Sequence, residues 1–209
     1  ELDAGSFTLR RLSRPILKVR IPIGEEVITV FNCHLKSKLG EFIRPDGAAF
    51  APEEDLVHYD PVGRAMGSMR AAMRRMAEAW VLRREIVAEL AQGNPVVAMG
   101  DVNEGEHAVS SEIISGEVPF GNYQWMLRHD AESYSDRYSA EEAATINESV
   151  ERNRLHAAEG LFVRKSLRDM VYTTAFAVVF ESIDQIYLIR HFHPDYDKRI
   201  ADMEYFSVL

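Results

Sequence analysis

Polar side chains stand at the ends of apolar stretches of the sequence, where they could carry out chemistry. The five residues are Asn32 and His34 at the end of VITVFNCHL, Asp101 and Asn103 after VVAMG, and Asp184 within SIDQIYLI. Strand ends and the loops beside them commonly hold catalytic groups, because a rigid sheet fixes their positions. We therefore interpret the convergence of these residues as the main functional signal in the chain.

The residue types predict acid–base or metal-assisted chemistry. An ionised Asp101 could bind a divalent cation or take a proton from water, and the amide of Asn103 could hold an anionic oxygen. His34 could donate to a phosphoryl oxygen or protonate a leaving group, because a histidine titrates near neutral pH. Structural alternatives remain for each residue. Asp and Asn after a strand also form turns, His34 could be a buried histidine with satisfied hydrogen bonds, and Asp184 could cap a strand.

Two strands joined by a tight turn are predicted for the first part of the chain, in residues 16–23 and 27–35. The apolar positions alternate in both stretches, which is typical of a β-hairpin. In the second stretch a two-residue period puts Asn32 and His34 on one face and Cys33 on the other. Cys33 is therefore predicted to be a packed core residue and not a nucleophile.

A long loop and a long helix are predicted next. Residues 36–67 are rich in Pro and Gly and are too long for a simple connection, so we expect a loop that flanks the site. A helix is expected over residues 68–91, with Ser68 as its cap and Gly93 after its end. Its core stripe is predicted to consist of Met69, Met73, Met76, Trp80, Val87 and Leu90.

The rest of the chain predicts further strands around a polar region. Residues 94–101 read as a strand, and residues 104–160 as loops and short helices, with weak helical character over 140–158. Two more strands are expected over 173–180 and 182–189. Hairpin-linked strands with one long helix favour a layered α/β protein with much antiparallel pairing over a doubly wound parallel fold.

Composition sets wide bounds on function. The 209 residues are 46% apolar and predict one soluble globular domain with a sizeable core. No apolar run is long enough to span a bilayer, and a single cysteine excludes an internal disulfide framework. The formal charge of −9 gives no general attraction to polyanions, so nucleic-acid binding would need a local basic surface or bridging divalent cations.

Three motifs in this order resemble the endonuclease/exonuclease/phosphatase superfamily. They are NCHLKSK (32–38), VVAMGDVNE (96–104) and SIDQIYL (182–188), with the helical RRMAEAWVLRREI between the first two. The resemblance extends from about Phe7 to Ile189. It implies a DNase I-like four-layered α/β sandwich of two packed, mixed and largely antiparallel sheets. It also implies hydrolysis of a phosphate ester with Mg²⁺ or Mn²⁺ as cofactor.

The resemblance implies a role for each matching residue. His34 would contact the scissile phosphate and support the developing charge or the leaving group. Asp101 would orient or deprotonate the attacking water, and Asn103 would help to place the phosphate. Asp101 and Asn103 are also the expected metal ligands. Asp184 would hold and polarise a catalytic histidine near the carboxyl terminus.

Asn32 and Lys36, both within the first motif, are expected to support substrate binding. Asn32 could contribute by hydrogen bonding within the loop, and Lys36, like Lys38, could meet a substrate phosphate. A solvated loop face is an equally good reading of the lysines.

The sequence departs from the family pattern at both ends. The family carries a strand with a metal-binding Glu before the first motif and an Asp-His motif after the third, and neither is found in the printed chain. We therefore expect residues 1–209 to form a single domain that is incomplete at both ends. His191 and His193 are not expected to replace the missing histidine. Weak or no turnover is the expectation for these residues alone.

The predicted activity is metal-dependent phosphodiester hydrolysis, most simply by a nuclease that acts on DNA or RNA. One alternative is a phosphoesterase for a lipid or small molecule, of the sphingomyelinase or inositol-phosphate phosphatase type. Its apolar recognition lip would be Phe42, Phe50 and Tyr59. Another alternative is a non-catalytic binding module of the same fold.

Overall fold

The computed structural model describes residues 10–43, 49–50, 60–116, 138–161, 172–176 and 179–201. The strands are β1 (Leu17–Ile23), β2 (Glu26–His34), β3 (Phe42–Ile43), β4 (Ala49–Phe50), β5 (Val96–Asp101), β6 (Leu155–Ala157), β7 (Thr174–Phe176), β8 (Val179–Glu181) and β9 (Asp184–Ile189). The α-helices are α1 (Pro61–Leu90), α2 (Val109–Ser115), α3 (Ala140–Asn153) and α4 (Ala158–Leu161), and a 3₁₀ turn covers Arg190–Phe192.

A five-stranded mixed sheet organises the structure, with strand order β1-β2-β5-β9-β6. The central pair β2–β5 is parallel and the other pairs are antiparallel. A parallel pair needs a crossover connection, and α1 lies within the one between β2 and β5. The short pairs β3–β4 and β7–β8 form two small separate sheets. The chain is thus a mixed α/β protein with largely antiparallel pairing, as the sequence predicted.

The hydrophobic core lies between this sheet and α1. Phe31 and Cys33 of β2, Ala98 of β5 and Tyr187 of β9 point to the helix, where Leu82 packs against them. Cys33 is 4% exposed, so its predicted place in the core is confirmed. Burial raises the pKa of its thiol to about 12, with the Asp101 and Glu78 carboxylates adding to the shift.

The opposite face of the sheet carries exposed apolar side chains on its first strand. In β1 the side chains alternate, and Lys18 and Arg20 turn to the helix side, where both pair with Glu89 of α1. The register pairs the remaining apolar positions of β1 with the even-numbered residues of β2, on the face away from α1. The exposed apolar side chains on this face include Leu17, Val19, Ile21, Ile23 and Ile186.

The long helix begins earlier than predicted. Pro61 occupies its first turn, and the side chain of Asp60 caps it by accepting the N–H of Val62 at 3.0 Å. Residues 61–67 were expected to belong to the loop because of Pro61, Gly63 and Gly67. Gly67 instead lets the helix approach another segment, since a Cβ there would overlap the carbonyl oxygen of Glu41.

The buried face of α1 also differs from the predicted stripe. Trp80 is 57% exposed and Val87 is 37% exposed, so these two were wrongly assigned to the core. The face that packs on the sheet mixes small, apolar and charged residues. Its buried members are Gly63, Gly67, Ala71, Arg75, Glu78, Ala79, Leu82, Ile86 and Glu89.

Glu89 shows how α1 can bury a charge. Its carboxylate accepts hydrogen bonds from Arg20 at 2.9 Å, from the Thr29 hydroxyl at 2.8 Å and from Asn94 at 3.0 Å, and Lys18 lies 2.5 Å away. The Arg20 hydrogen bond is the largest cause that holds the pKa of Glu89 well below its usual range. Buried charges are tolerated when they are paired and hydrogen-bonded in this way.

Later elements follow the sequence prediction with two changes. The helix expected over 140–158 ends at Asn153, and residues 155–157 add strand β6 to the sheet edge. Ser139 and Glu142 form a reciprocal capping box at its start. The stretch 173–180 was expected to be one strand, but it contributes to a hairpin in which β7 pairs with β8. None of the helices in the described ranges has the length and apolar character to cross a membrane.

Candidate functional site

Three neighbouring strands place predicted site residues side by side, at the end of the sheet where β2 and β5 finish and β9 starts. These residues form the strand-end row. His34 at the end of β2 pairs in parallel register with Asp101 at the end of β5. Asp101 in turn lies directly opposite Asp184, the first residue of β9. Directly paired residues in a sheet point to the same face. The structure therefore brings together side chains from all three motifs.

His34 and Asp101 contact each other directly. His34 Nε2 lies 3.2 Å from Asp101 Oδ2, and the two side chains are 43% and 27% exposed. The pair is thus accessible to a ligand from solvent. His34 is not a buried core histidine, which removes the structural alternative considered for it.

Asn103 connects the segments that follow β2 and β5. Its backbone N–H donates to Asp101 Oδ1 at 2.9 Å, and its side-chain Nδ2 donates to the carbonyl oxygen of Leu35 at 3.0 Å. Its φ of 57° lies in the left-handed region, which Asn tolerates better than most residues. The turn alternative for Asp-x-Asn is therefore correct, and the same turn directs the second oxygen of Asp101 at His34.

Gly100 allows the two parallel strands to meet at this edge. Its φ is 132°, and a Cβ there would overlap the carbonyl oxygen of Cys33. The pairing continues one residue beyond β2, where the N–H of Leu35 donates to the Asp101 carbonyl oxygen at 2.9 Å. Glycine is therefore required at position 100 for steric reasons, and the close strand approach that it permits also fixes the position of Asp101.

Asp184 is exposed and its backbone is held by a neighbouring hairpin. The N–H groups of Ile183 and Asp184 both donate to the Thr173 hydroxyl at 3.0 Å. Directly opposed residues in an antiparallel pair have Cβ atoms about 5 Å apart. The carboxyl groups of Asp101 and Asp184 therefore face the same small region.

The predicted substrate-binding residues differ in whether their side chains are exposed or already bonded. Asn32 is exposed on the same face as His34. The ammonium group of Lys36 donates to Ser37 Oγ at 3.2 Å and to the Leu39 carbonyl at 2.8 Å, and burial lowers its pKa. Lys36 is therefore bonded within its own loop. Its neighbour Lys38 forms an ion pair with Glu181, with Nζ 2.6 Å from Oε1.

Three charged residues that received no role from the sequence support this end of the sheet. Arg75 of α1 pairs with Glu104 and donates from Nη1 to the carbonyl oxygen of Lys36 at 3.1 Å. Glu78 of α1 accepts the N–H of Lys36 at 2.7 Å. No local signal in the sequence marks Arg75 and Glu78, because their partners lie many residues away along the chain.

His191 and His193 lie far from the strand-end row. Both follow the far end of β9, and a strand of this length separates its ends by about 17 Å. The His193 ring packs on His156 with centroids 4.7 Å apart, and His191 packs on Tyr196 at 5.4 Å. The expectation that neither residue completes the site is therefore consistent with their position.

The oxygen atoms at the row are compatible with a magnesium ion that keeps most of its water. Asp101 supplies a carboxylate, and the Nδ2 of Asn103 is bonded to Leu35, which leaves its Oδ1 for a ligand. Mg²⁺ is commonly bound through one or two carboxylates with several waters retained. Within the described parts of the chain, no group of three or more His, Cys, Asp or Glu residues is arranged to hold a metal ion.

A cavity of about 390 Å³ adjoins the loop that follows Asn103. Its lining includes Lys38, Glu104 and Ser182, each of which is a terminal residue of one of the three motifs. It shares Glu106 and His107 with a larger cavity of about 700 Å³. The lining of the smaller cavity is mainly acidic, with Glu104, Glu106, Glu159 and Glu181, and it includes none of the residues of the strand-end row.

The chain has no match among known proteins in three comparisons. No family model matches the chain, and no curated protein or solved structure matches it. The functional interpretation therefore depends on the motifs and on the geometry of the row.

Proposed function

We propose that this chain is a metal-dependent phosphodiester hydrolase, and that its substrate is nucleic acid. One observation carries the proposal: His34, Asp101 and Asp184, from three motifs far apart in sequence, occupy adjacent positions at one edge of the sheet. These residues and Asn103 are the ones to which the family resemblance gives roles. A set of unrelated turn residues would not be expected to converge on one face.

Asp101 is the proposed group that orients the attacking water. Its Oδ1 is held by the N–H of Asn103, so the carboxylate is fixed in direction, and its Oδ2 faces His34 at 3.2 Å. A water that binds between Oδ2 and a phosphorus atom would be aligned for attack and could pass a proton to the carboxylate.

His34 is the proposed donor to the phosphate. Its Nε2 is the ring nitrogen near Asp101, and a substrate phosphoryl oxygen that enters the row would compete with the carboxylate for it. A donor placed at a developing negative charge stabilises the transition state more than the ground state. Asn32 lies two residues before His34 and is exposed on the same face of β2, so it would contact the flanking part of the substrate.

A magnesium or manganese ion would be held by Asp101 and by Oδ1 of Asn103. When bound, it would neutralise charge on the phosphate and on the oxygens that gain charge during the displacement. Asp184, opposite Asp101, would add negative charge beside the ion or, as the resemblance implies, orient a histidine.

We also propose that the domain belongs to the DNase I-like four-layered sandwich. The sheet face away from α1 carries exposed apolar side chains on β1, at 39% to 59% exposure. A second sheet packed on this face would bury them, as in sandwiches in which two sheets meet through apolar faces. This apolar face is what supports the finer fold assignment.

The lipid and small-molecule alternative has less support. Its predicted apolar lip included Phe42, but Phe42 is 1% exposed and cannot contact a substrate. Phe50 and Tyr59 have side chains outside the described residues. The formal charge of −9 is compatible with a nucleic-acid substrate if a divalent cation bridges the site and the phosphate.

The proposal is tested by hydrolysis and by metal binding on the same protein. Supercoiled plasmid and bis(p-nitrophenyl) phosphate are incubated with excess protein in Mg²⁺, in Mn²⁺ or in EDTA, beside the variant Asp101→Asn. The asparagine keeps an oxygen that can accept the N–H of Asn103, so the turn is retained. We expect slow metal-dependent hydrolysis of both substrates that falls to the EDTA level in the variant.

Thermal unfolding in the same solutions supplies the second measurement. A metal ion that binds only the folded state raises the unfolding temperature. In Asp101→Asn, addition of the metal should no longer raise it. Stabilisation by metal without hydrolysis would favour the non-catalytic binding module over a hydrolase. Hydrolysis that persists unchanged in Asp101→Asn would contradict the assigned site.

A further inference from the structure

We propose that Arg75 and Glu78 of α1 are positioning residues that hold the segments after β2 and β5 in the arrangement the site needs. The proposal rests on the function proposed above. It assigns a catalytic purpose to two buried charges that neither the motifs nor the acid–base roles include.

Both charges contact the backbone of one residue. Glu78 Oε2 accepts the N–H of Lys36 at 2.7 Å, and Arg75 Nη1 donates to the Lys36 carbonyl oxygen at 3.1 Å. Lys36 follows His34 by two residues, just beyond the end of β2. The peptide groups on both sides of Lys36 are thus fixed by one turn of α1.

The other arm of the Arg75 guanidinium reaches the segment after β5. Its Nη2 pairs with Glu104, the residue that follows Asn103, and the Ser110 hydroxyl donates to the second oxygen of that carboxylate. The Glu104 carboxylate is thus held by one donor from α1 and one donor from α2.

Apolar side chains could not replace this arrangement. The side chains of Arg75 and Glu78 are 5% and 2% exposed, and burying charges is costly unless they are paired. Irregular segments leave backbone N–H and C=O groups without ladder partners, and buried groups of this kind must be bonded. Leu82 and Ile86 fill space on the same helix face, whereas Arg75 and Glu78 bond to the backbone.

The experiment compares loss of these contacts with loss of a buried charge elsewhere on the helix. The test variants are Arg75→Met and the double variant Arg75→Met with Glu104→Gln, which removes the unpaired carboxylate as well. Glu89→Gln is the matched control, because Glu89 is buried on α1 about 21 Å further along the helix axis at 1.5 Å per residue. Each protein is measured for its urea unfolding, its single-turnover hydrolysis and its amide hydrogen exchange.

We expect Arg75→Met to lower the single-turnover rate by roughly 100-fold with little change in half-saturation by substrate, since small displacements of reacting groups cost rate. Exchange at the amides of Leu35, Lys36 and Asn103 should become faster. The double variant should regain stability but not rate. Glu89→Gln should lose stability and keep both the rate and the slow exchange at these amides.

Two results would overturn the proposal. One is a rate in Arg75→Met within a few-fold of the parent protein, and the other is an equal loss of rate in Glu89→Gln, which would indicate a general effect of stability. If the parent protein shows neither hydrolysis nor stabilisation by metal, the proposed function fails, and hydrogen exchange alone tests whether Arg75 holds these segments. Unchanged exchange at Leu35, Lys36 and Asn103 in Arg75→Met would then show that Arg75 does not hold these segments.

Discussion

The imidazole of His34 and the carboxylate of Asp101 meet across the parallel strand pair β2–β5, with Nε2 3.2 Å from Oδ2. Each residue ends its strand, and the strands are paired in register up to this point. Because the turn at Asn103 holds the other carboxylate oxygen, the position of the pair is set by backbone structure on both sides. A ligand that enters the row therefore meets a donor and an acceptor in fixed positions.

Replacing the His34 imidazole should remove activity without unfolding the protein. His34→Gln keeps a polar side chain that can bond to Asp101 but cannot transfer a proton, and we expect hydrolysis to fall by roughly 100-fold or more. The matched control is His107→Gln, because the side chain of His107 is 92% exposed. Single-turnover assays with Mg²⁺ measure the effect. Equal losses in the two variants would argue against a specific role for His34.

Any side chain at position 100 should destabilise the protein, because β5 and β2 lie too close together there. Gly100→Ala combines an unfavourable φ of 132° with overlap of the Cys33 carbonyl oxygen. We expect it to destabilise the protein by about 3 kcal/mol or more, the upper end for strained backbone positions. Gly93→Ala is the control, since its φ is 84° but no atom lies within 4 Å of the new Cβ. It should cost about 1–2 kcal/mol in urea unfolding.

The thiol of Cys33 should be unreactive in the folded protein. It is 4% exposed, and burial raises its pKa to about 12, so almost no thiolate is present at mildly alkaline pH. Ellman's reagent should label it at the rate of unfolding, and hydrolysis should survive the reagent. Cys33→Ala should keep activity and lose about 1–2 kcal/mol of stability. Rapid labelling of the folded protein would place Cys33 on the wrong face of β2.

The Glu89 cluster should give stability that depends on pH. Its folded pKa lies well below the ordinary value of 4.5, so the stabilisation is fully present above that value and is lost as the pH falls below it. We expect Glu89→Gln to cost about 1–3 kcal/mol at neutral pH. The difference from the parent protein in urea unfolding should shrink under acid conditions. Glu85→Gln, at a surface pair with Arg84, should change little at any pH.

The sequence predicted the elements that have regular periods. Alternation in 27–35 located Phe31 and Cys33 in the core and His34 on the opposite face, and the structure agrees. The motif residues were also correctly expected to converge, because strand ends carry them. These predictions need local patterns and the pleat of a strand, which a single sequence contains.

The helix face of α1 could not be predicted in the same way. A search for apolar residues at helical spacing favours Trp80 and Val87 and passes over Arg75, Glu78 and Glu89. The partners that make those buried charges acceptable lie many residues away, such as Lys36 for Glu78 at a separation of 42 positions. Tertiary contacts of this range decide which face of the helix is buried, and no local pattern contains them.

The crossover through α1 has a consequence for the order in which the molecule forms. Asn103 and Leu35 are bonded across a sequence separation of 68 residues, and the parallel pair beside them needs the same long closure. Contacts between distant residues form slowly, because the entropy of closing the chain must be lost before the contacts are gained. The helix α1 can form locally, whereas the site requires both of its flanking strands to be docked. During refolding we therefore expect helical signal to return before hydrolysis, so that regained activity reports the completed sheet.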